Sequence, residues 1–223
     1  MNVKLLVKTL VRFIFGVVIC AVLLFAPVGT LNYPNAWLFL ALLFIPIFLE
    51  GVILFIKNPD LLEKRMNLKE KQKVQKKVVG FTALIFILGF VVTSLDFKYG
   101  WSEITKYEII EASILFLFGY GMYMEVIREN KFLSRTIEVQ EGQKVIDTGL
   151  YAMVRHPMYL ASILMFLAMP LVLGSKIGFL IFALYPFALV KRIKNEEEVL
   201  EKELDGYTEY KKKVKYRLIP YVW

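Results

Sequence analysis

Apolar residues form long, nearly uninterrupted runs along most of this chain. Each of the first four runs approaches the ~20 residues that a helix needs to cross the hydrocarbon core of a bilayer. Because lipid cannot hydrogen-bond to the backbone, these runs predict transmembrane helices rather than strands. They cover residues 13–30, 36–56, 78–95 and 109–127.

The last apolar run, residues 158–190, is too long for one span, but each half of it is shorter than a full span. A polar interruption at 173–178 and the prolines Pro170 and Pro186 favour a bent hairpin that enters and returns, with Lys176 at its tip. Both ends of such a hairpin lie on the same side of the membrane.

We therefore expect an all-α, polytopic helical bundle with about five membrane elements, the C-terminal hairpin included. Residues 1–127 would supply four spans, and residues 128–223 a loop, the hairpin and a C-terminal helix. The two parts would form one structural domain. The first run follows Lys4, Lys8 and Arg12 without a small-residue cleavage site, so we interpret it as a retained span.

Polar connections predict the orientation of this bundle. Residues 57–77 carry eight Lys or Arg against three Asp or Glu, which favours the cytoplasm. Residues 96–108 carry two basic and three acidic residues and fit the outer face. The N-terminus and the polar end of the hairpin would then be cytoplasmic, in the plasma (inner) membrane if the source is prokaryotic.

Two connections carry smaller elements. Within residues 57–77, an amphipathic piece would lie on the membrane surface through Leu61, Leu62, Met66 and Leu68. Residues 134–139 alternate in polarity and allow a short extended piece.

Composition agrees with a membrane protein, since 57% of the residues are hydrophobic and the mean hydropathy is +0.56. The net charge of +8 then indicates basic loops facing anionic lipids, and we expect no nucleic-acid partner. The single cysteine, Cys20, excludes an internal disulfide. Glu50 lies inside the second run, where it could snorkel or be protonated, and we expect no catalytic role for it.

Several common catalytic motifs are absent. The chain has one histidine and no zinc-ligand spacing, so we expect no metal site. Neither a nucleophile elbow nor a phosphate-binding loop occurs, and no dinucleotide fingerprint follows a strand. A nucleotide-like cofactor would need a different kind of site.

The stretch 149–159 holds the only histidine, His156, between Arg155 and Pro157, with Tyr151 and Tyr159 on either side. One interpretation is a membrane-entry turn, in which Arg155 faces headgroups, Pro157 begins a helix and the tyrosines lie at the interface. The other is a ligand-binding strip. The predicted hairpin favours the second, because it places the strip beside three charged residues, Arg192, Glu196 and Glu197.

Three motifs together resemble a known family. They are Thr148-Gly-Leu-Tyr-Ala-Met-Val-Arg-His-Pro-Met-Tyr159, Arg192-x-x-x-Glu196-Glu197 and Gly206-Tyr-x-x-Tyr210. This combination is similar to the isoprenylcysteine carboxyl methyltransferases, integral-membrane enzymes that use S-adenosylmethionine. The resemblance covers roughly residues 130–223. The Arg-His-Pro-x-Tyr strip by itself also occurs in phospholipid methyltransferases and membrane sterol reductases.

The resemblance implies methyl transfer from S-adenosylmethionine to a lipophilic acceptor drawn from the bilayer, with a carboxylate as the favoured acceptor. It implies catalytic roles for Arg192, which would bind the acceptor, and for Glu196. The cofactor contacts that it implies are Gln140, Gln143, Lys144, Val145, Ile146, Tyr151, His156, Pro157, Met158, Tyr159, Glu196 and Glu197. The alternatives are an NADPH-dependent reductase of the sterol type and a lipid-binding membrane protein without catalysis.

Overall fold

Four helices of the computed structural model are long and apolar enough to cross a membrane. The structure describes residues 3–66, 73–134 and 136–223. The four are α1 (Val3–Val28), α2 (Pro34–Lys57), α4 (Lys73–Tyr99) and α5 (Lys106–Glu129), with the short helix α3 (Pro59–Arg65) between α2 and α4. The predicted all-α, multi-pass bundle is confirmed, and no strand occurs within the described ranges, residues 134 and 136–139 included.

The predicted spans are shorter than the observed helices. The first span was placed at residues 13–30, whereas α1 begins at Val3 and includes Lys4, Lys8 and Arg12. Lys and Arg are good helix formers, and their long stems lie along apolar surface while the charge reaches water. Hydrophobicity therefore underestimates helix length at a basic end.

Helix α3 corresponds to the amphipathic piece predicted between the second and third spans, but its placement on the membrane surface is wrong. Leu61, Leu62 and Met66 are buried in a cluster with Leu5 of α1 and Val126 of α5. The sequence pattern indicates an apolar face but not whether lipid or protein covers it. The predicted contact of Leu68 falls outside the described residues.

The last apolar run forms the predicted hairpin, with a second arm made of two helices. Its elements are α6 (Pro157–Val172), α7 (Lys176–Phe182) and α8 (Tyr185–Glu203). The second arm breaks just before Pro186, which lies in the first turn of α8. At the tip, Gly174 takes a φ of +90°, and the Ser175 hydroxyl accepts a hydrogen bond from Gly178 N at 2.7 Å to cap α7.

Polar contacts hold this tip against two of the connections between the spans. The buried Asp96 carboxylate, in the last turn of α4, accepts hydrogen bonds from Ser102 N at 2.7 Å and from the Ser175 hydroxyl. Tyr33, between α1 and α2, donates to Leu173 O at 2.7 Å. The tip, the α1–α2 connection and the α4–α5 connection therefore share one end of the bundle. The opposite end, the polar end, carries α3, residues 130–134 and 136–156, and the C-terminal residues.

Close helix packing positions the hairpin. Helix α6 lies along α5, where a Cβ at Gly119 would come within 2.9 Å of Met165 Cγ and 3.1 Å of Ala161 O. The second arm packs on α4, with Phe182 against Phe86 and Phe90. Small residues at such contacts let helix backbones approach closely in membranes. The ends of α6 and α8 consequently meet at the polar end.

Beyond α8 the chain folds back over the polar end. Helix α8 ends at Glu203, and Gly206, at φ +82°, leads into α9 (Tyr207–Lys213). The following strip pairs with the stretch before α6, since Arg155 N donates to Tyr216 O and His156 N to Arg217 O, both at 2.9 Å.

Candidate functional site

Arg155 and Glu197 form a buried ion pair at the base of a polar site between α6, α8 and the C-terminal strip. Arg155 Nε donates to Glu197 Oε1 at 2.7 Å, and its Nη1 donates to the carbonyls of Val214 and Lys215 at 2.7 Å. Arg155 is only 5% exposed, so the interpretation that it faces lipid headgroups is wrong. The charge is buried because a carboxylate and two backbone carbonyls satisfy the guanidinium.

Three basic side chains surround the Glu197 carboxylate. His156 Nε2 lies 3.3 Å from Oε1, and Arg217 Nε donates to Oε2 at 2.8 Å. Burial raises the pKa of Glu197, but the hydrogen bonds from His156, Arg155 and Arg217 outweigh burial and lower it to about 2. Glu197 is therefore an anion that holds its neighbours in place.

The next carboxylate on α8, Glu196, belongs to a second chain of hydrogen bonds. The Tyr159 hydroxyl donates to Glu196 Oε2 and accepts from Arg192 Nε at 2.9 Å. Arg192 Nη1 also donates to Gln75 Oε1 at 2.9 Å, and Gln75 Nε2 donates to Asn195 Oδ1 at 2.6 Å. The Tyr159 hydroxyl thus links the Glu196 carboxylate to the Arg192 guanidinium, which lie one helical turn apart on α8.

A cavity of about 110 Å³ lies above these residues, under the loop that follows α5. His156 is stacked on Tyr159, with ring centroids 5.7 Å apart, along one side. Ten of the residues proposed from the sequence line this cavity: Gln143, Lys144, Val145, Ile146, Tyr151, His156, Met158, Tyr159, Arg192 and Glu196. The hairpin and the loop bring them together from three separate stretches.

Three of the proposed cofactor contacts do not line the cavity. Glu197 is buried beneath it in the contacts with Arg155 and Arg217. Pro157 is buried at the start of α6, where its missing N–H costs nothing. Gln140 Nε2 donates to Phe132 O at 2.6 Å, which folds the loop onto itself. These three residues therefore lie behind the residues that line the cavity.

Two residues that sequence reasoning missed have important positions. Gln75 was placed in a polar connection, yet it is fully buried near the start of α4 and binds Arg192. Tyr207 lines the cavity, and its buried hydroxyl has no hydrogen-bond partner within the described residues. Burial, with the nearby charges of Glu197 and Glu196, raises the pKa of Tyr207 and keeps its hydroxyl protonated. The Gly206-Tyr207-x-x-Tyr210 motif was the available signal for it.

The remaining tyrosines fix the shape of the site. Tyr210 donates its hydroxyl hydrogen to Tyr151 O at 2.8 Å, and Asn130 Nδ2 donates to the Tyr151 hydroxyl at 2.9 Å. Among the residues that the structure describes, no group of three or more His, Cys, Asp or Glu could hold a metal ion. The cavity is lined by aromatic rings, by carboxylates and by the guanidinium groups of Arg155 and Arg192.

Comparison with known proteins covers this same region. Residues 112–202 match the model of the isoprenylcysteine carboxyl methyltransferase family. The family resemblance is confirmed over this segment. It runs from α5 through the loop and the hairpin into α8, and so includes Tyr159, Arg192 and Glu196. By its name, this is a family of methyltransferases.

A second similarity is to a sterol enzyme. The delta(14)-sterol reductase of Mus musculus is 37% identical over 91 residues, which are 40% of this chain and 22% of that protein. The chain thus spans about a fifth of the length of this relative. The two comparisons therefore indicate two enzyme classes, a methyltransferase family and a sterol reductase.

Proposed function

We propose that this protein is an S-adenosylmethionine-dependent methyltransferase of the membrane, acting on a lipophilic acceptor. The observation that carries the proposal is the hydrogen-bonded chain Glu196–Tyr159–Arg192 on the cavity wall. It lies within the segment that matches a methyltransferase family. A carboxylate for a cationic cofactor and a guanidinium for an anionic acceptor thus stand side by side.

The chemistry of the cavity fits the cofactor. Carboxylates bind ammonium groups and ribose hydroxyls, and aromatic faces stack on adenine or contact a sulfonium. The hydroxyl of Tyr207, which no described residue bonds, offers one more donor. The volume of about 110 Å³ is below the 300–1,000 Å³ of typical small-molecule sites. We therefore expect the loop residues 136–148 to move outward on binding.

Each residue then has a definite task. S-adenosylmethionine supplies an electrophilic methyl group on a sulfonium. Glu196 and His156 would hold the cofactor, and Arg192 would orient the acceptor carboxylate, which is nucleophilic without a base. Tyr159 fixes the distance between Glu196 and Arg192. Holding the reactants in the correct geometry supplies a large part of the rate acceleration of an enzymatic displacement reaction.

The acceptor would come from the bilayer. Apolar residues of α4, α6 and α8 lie beside the site, in a cluster that includes Phe86, Ile163 and Leu189. The polar end carries the basic connections, so we place it in the cytoplasm, where the cofactor would enter. The partners in this proposal are membrane lipids and the lipophilic acceptor.

A reductase is the second candidate, because the sterol reductase of Mus musculus is 37% identical to 91 residues of this chain. Thermal-shift measurements with S-adenosylhomocysteine and with NADPH would separate the two. Stabilisation by S-adenosylhomocysteine alone supports methyl transfer, and stabilisation by NADPH alone supports reduction. Failure to bind either would favour a lipid-binding protein without catalysis.

The direct test is to incubate the purified protein in native lipid with methyl-labelled S-adenosylmethionine and to measure transfer into the lipid fraction. We expect Arg192→Ala and Glu196→Ala to lower transfer about 100-fold or more, because each removes a positioning group. Glu198→Ala is the matched control, since Glu198 is exposed on the same helix. Near-normal transfer in both site variants would refute the assignment.

A separate titration tests His156. We expect His156→Ala to weaken S-adenosylhomocysteine binding, because the ring forms part of the cavity wall and contacts Glu197. An unchanged titration curve would mean that His156 serves structure alone.

A further inference from the structure

A second, much larger cavity lies between α1, α2, α5 and α6. Its volume is about 930 Å³, and most of its wall is apolar. Leu10, Phe15, Phe48, Val52 and Ile56 line it and are also exposed on the surface of the bundle. The cavity therefore opens on the side of α1 and α2 that faces lipid in a membrane.

This apolar cavity is distinct from the methyl-transfer site. Among the described residues, none lines both cavities. Helix α6 separates them, since Met158 and Tyr159 line the polar cavity, and Ser162 and Met165 line the apolar one.

An ion pair lies within the wall of the apolar cavity. Glu50 and Arg65 are 7% and 6% exposed, and Arg65 Nε lies 3.5 Å from Glu50 Oε1. Tyr120 donates to Glu50 Oε2 at 2.9 Å, and Arg65 Nη2 donates to the Tyr123 hydroxyl. A buried pair costs much desolvation energy and is weak evidence for stability, so its place on a cavity wall needs a reason.

The guanidinium of Arg65 has N–H donors that lack an acceptor among the described residues. It makes one long contact with Glu50 and one bond with Tyr123, and no other described group accepts from it. A guanidinium has five N–H donors and suits planar carboxylates. An oxygen acceptor inside the cavity would satisfy the remaining donors.

The charged residues on the cavity wall favour an anionic ligand. The charged lining residues are Arg12, Glu50 and Arg65, so two guanidinium groups face one carboxylate and leave a net charge of +1. Arg12 donates to Met66 O at the polar end of the cavity, and the apolar walls continue from there toward Met169. A single carboxylate would neutralise this wall, and a hydrocarbon chain would fill the remainder.

We propose that the apolar cavity binds a long-chain carboxylic acid, with its carboxylate at Arg65 and Arg12 and its chain between α1, α2, α5 and α6. The acid would enter sideways from the bilayer. This site goes beyond the methyl-transfer centre, and binding there requires no cofactor.

The test uses the full chain in uncharged lipid nanodiscs and a long-chain fatty acid that carries a diazirine in mid-chain. After irradiation, peptide mapping should find the label on α1, α2, α5 or α6. The alcohol of the same chain length should label these peptides about tenfold less, because it lacks the charged acceptor. Equal labelling by acid and alcohol would overturn the proposal, as would equally strong labelling by a diazirine phospholipid.

Two variants with matched controls complete the test. Gly51 lines the cavity with nothing within 4 Å of a Cβ there, so Gly51→Phe should fill the space and abolish labelling. Gly80→Phe, equally open but outside the cavity, should leave labelling unchanged. Arg65→Gln should weaken binding about tenfold, whereas Arg128→Gln should not. If Arg65→Gln fails to fold, the glycine variants still decide, and undiminished labelling of Gly51→Phe would overturn the proposal.

Discussion

The Arg155 guanidinium and the Glu197 carboxylate, 42 residues apart in sequence, form a buried ion pair with Nε and Oε1 2.7 Å apart. This pair fastens the strip before α6 to α8 and to the C-terminal strip. The walls of the polar cavity, which carry Tyr159, Arg192 and Glu196, depend on that junction.

Loss of the Arg155 side chain should be strongly destabilising. Arg155→Gln leaves Glu197 buried with fewer donors, and breaking a buried pair in this way costs about 3–5 kcal/mol. Thermal unfolding in detergent should show a large fall in midpoint. Arg128→Gln is the control, because the Arg128–Glu125 pair is exposed and such pairs contribute at most about 1 kcal/mol. Equal shifts in the two variants would contradict the buried junction.

The lowered pKa of Glu197 predicts a loss of stability in acid. Its folded pKa of about 2 lies below the ordinary value of 4.5, so the unfolded chain takes up the proton first as the pH falls. The stabilising contribution is complete above about pH 5 and disappears progressively down to about pH 2. His156, Arg155 and Arg217 surround the carboxylate and are the source of this effect.

The measurement is the unfolding midpoint between pH 7 and pH 3 for the wild type and for Glu197→Gln. Glutamine has no proton to gain, so the variant should be less stable at pH 7 and should lose less stability toward pH 3. Parallel curves would show that Glu197 keeps an ordinary pKa.

Tyr207 should matter for ligand binding and not for the stability of the free protein. Its buried hydroxyl has no hydrogen-bond partner among the described residues, so Tyr207→Phe removes an unsatisfied group and should leave the unfolding midpoint equal or slightly raised. If the cofactor accepts a hydrogen bond from it, calorimetry with S-adenosylhomocysteine should show affinity reduced by about fivefold. A large fall in stability without a change in affinity would point to a structural role.

The contact between α5 and α6 is too close to accommodate even one methyl group at Gly119. A Cβ there would lie 2.9 Å from Met165 Cγ and 3.1 Å from Met165 N, so Gly119→Ala should cost about 1–3 kcal/mol. Gly121→Ala is the matched control on the same helix, because nothing lies within 4 Å of a Cβ at that position. It should be neutral or stabilising by up to about 1 kcal/mol. The unfolding midpoints of the two variants should therefore move apart.

The sequence by itself determined the helical bundle and the family resemblance of residues 112–202. Long apolar runs allow only a few structures in lipid, because the backbone must satisfy its own hydrogen bonds. The break at residues 173–178 was enough to predict a hairpin, and the hairpin was enough to bring Arg192 and Glu196 toward His156. Local composition and chain connectivity carry that information.

Only the tertiary structure decided which polar side chains face a cavity and which lie behind its wall. Arg155 and Glu197 are charged residues of the kind that usually lies at a protein surface, yet they are buried against each other. Leu61 and Leu62 present an apolar face that other parts of the protein cover, and Gln75 contacts Arg192 from the first turn of α4. The pattern along a helix reports how apolar each face is. What covers that face depends on contacts between distant parts of the chain, and packing alone fixes those contacts.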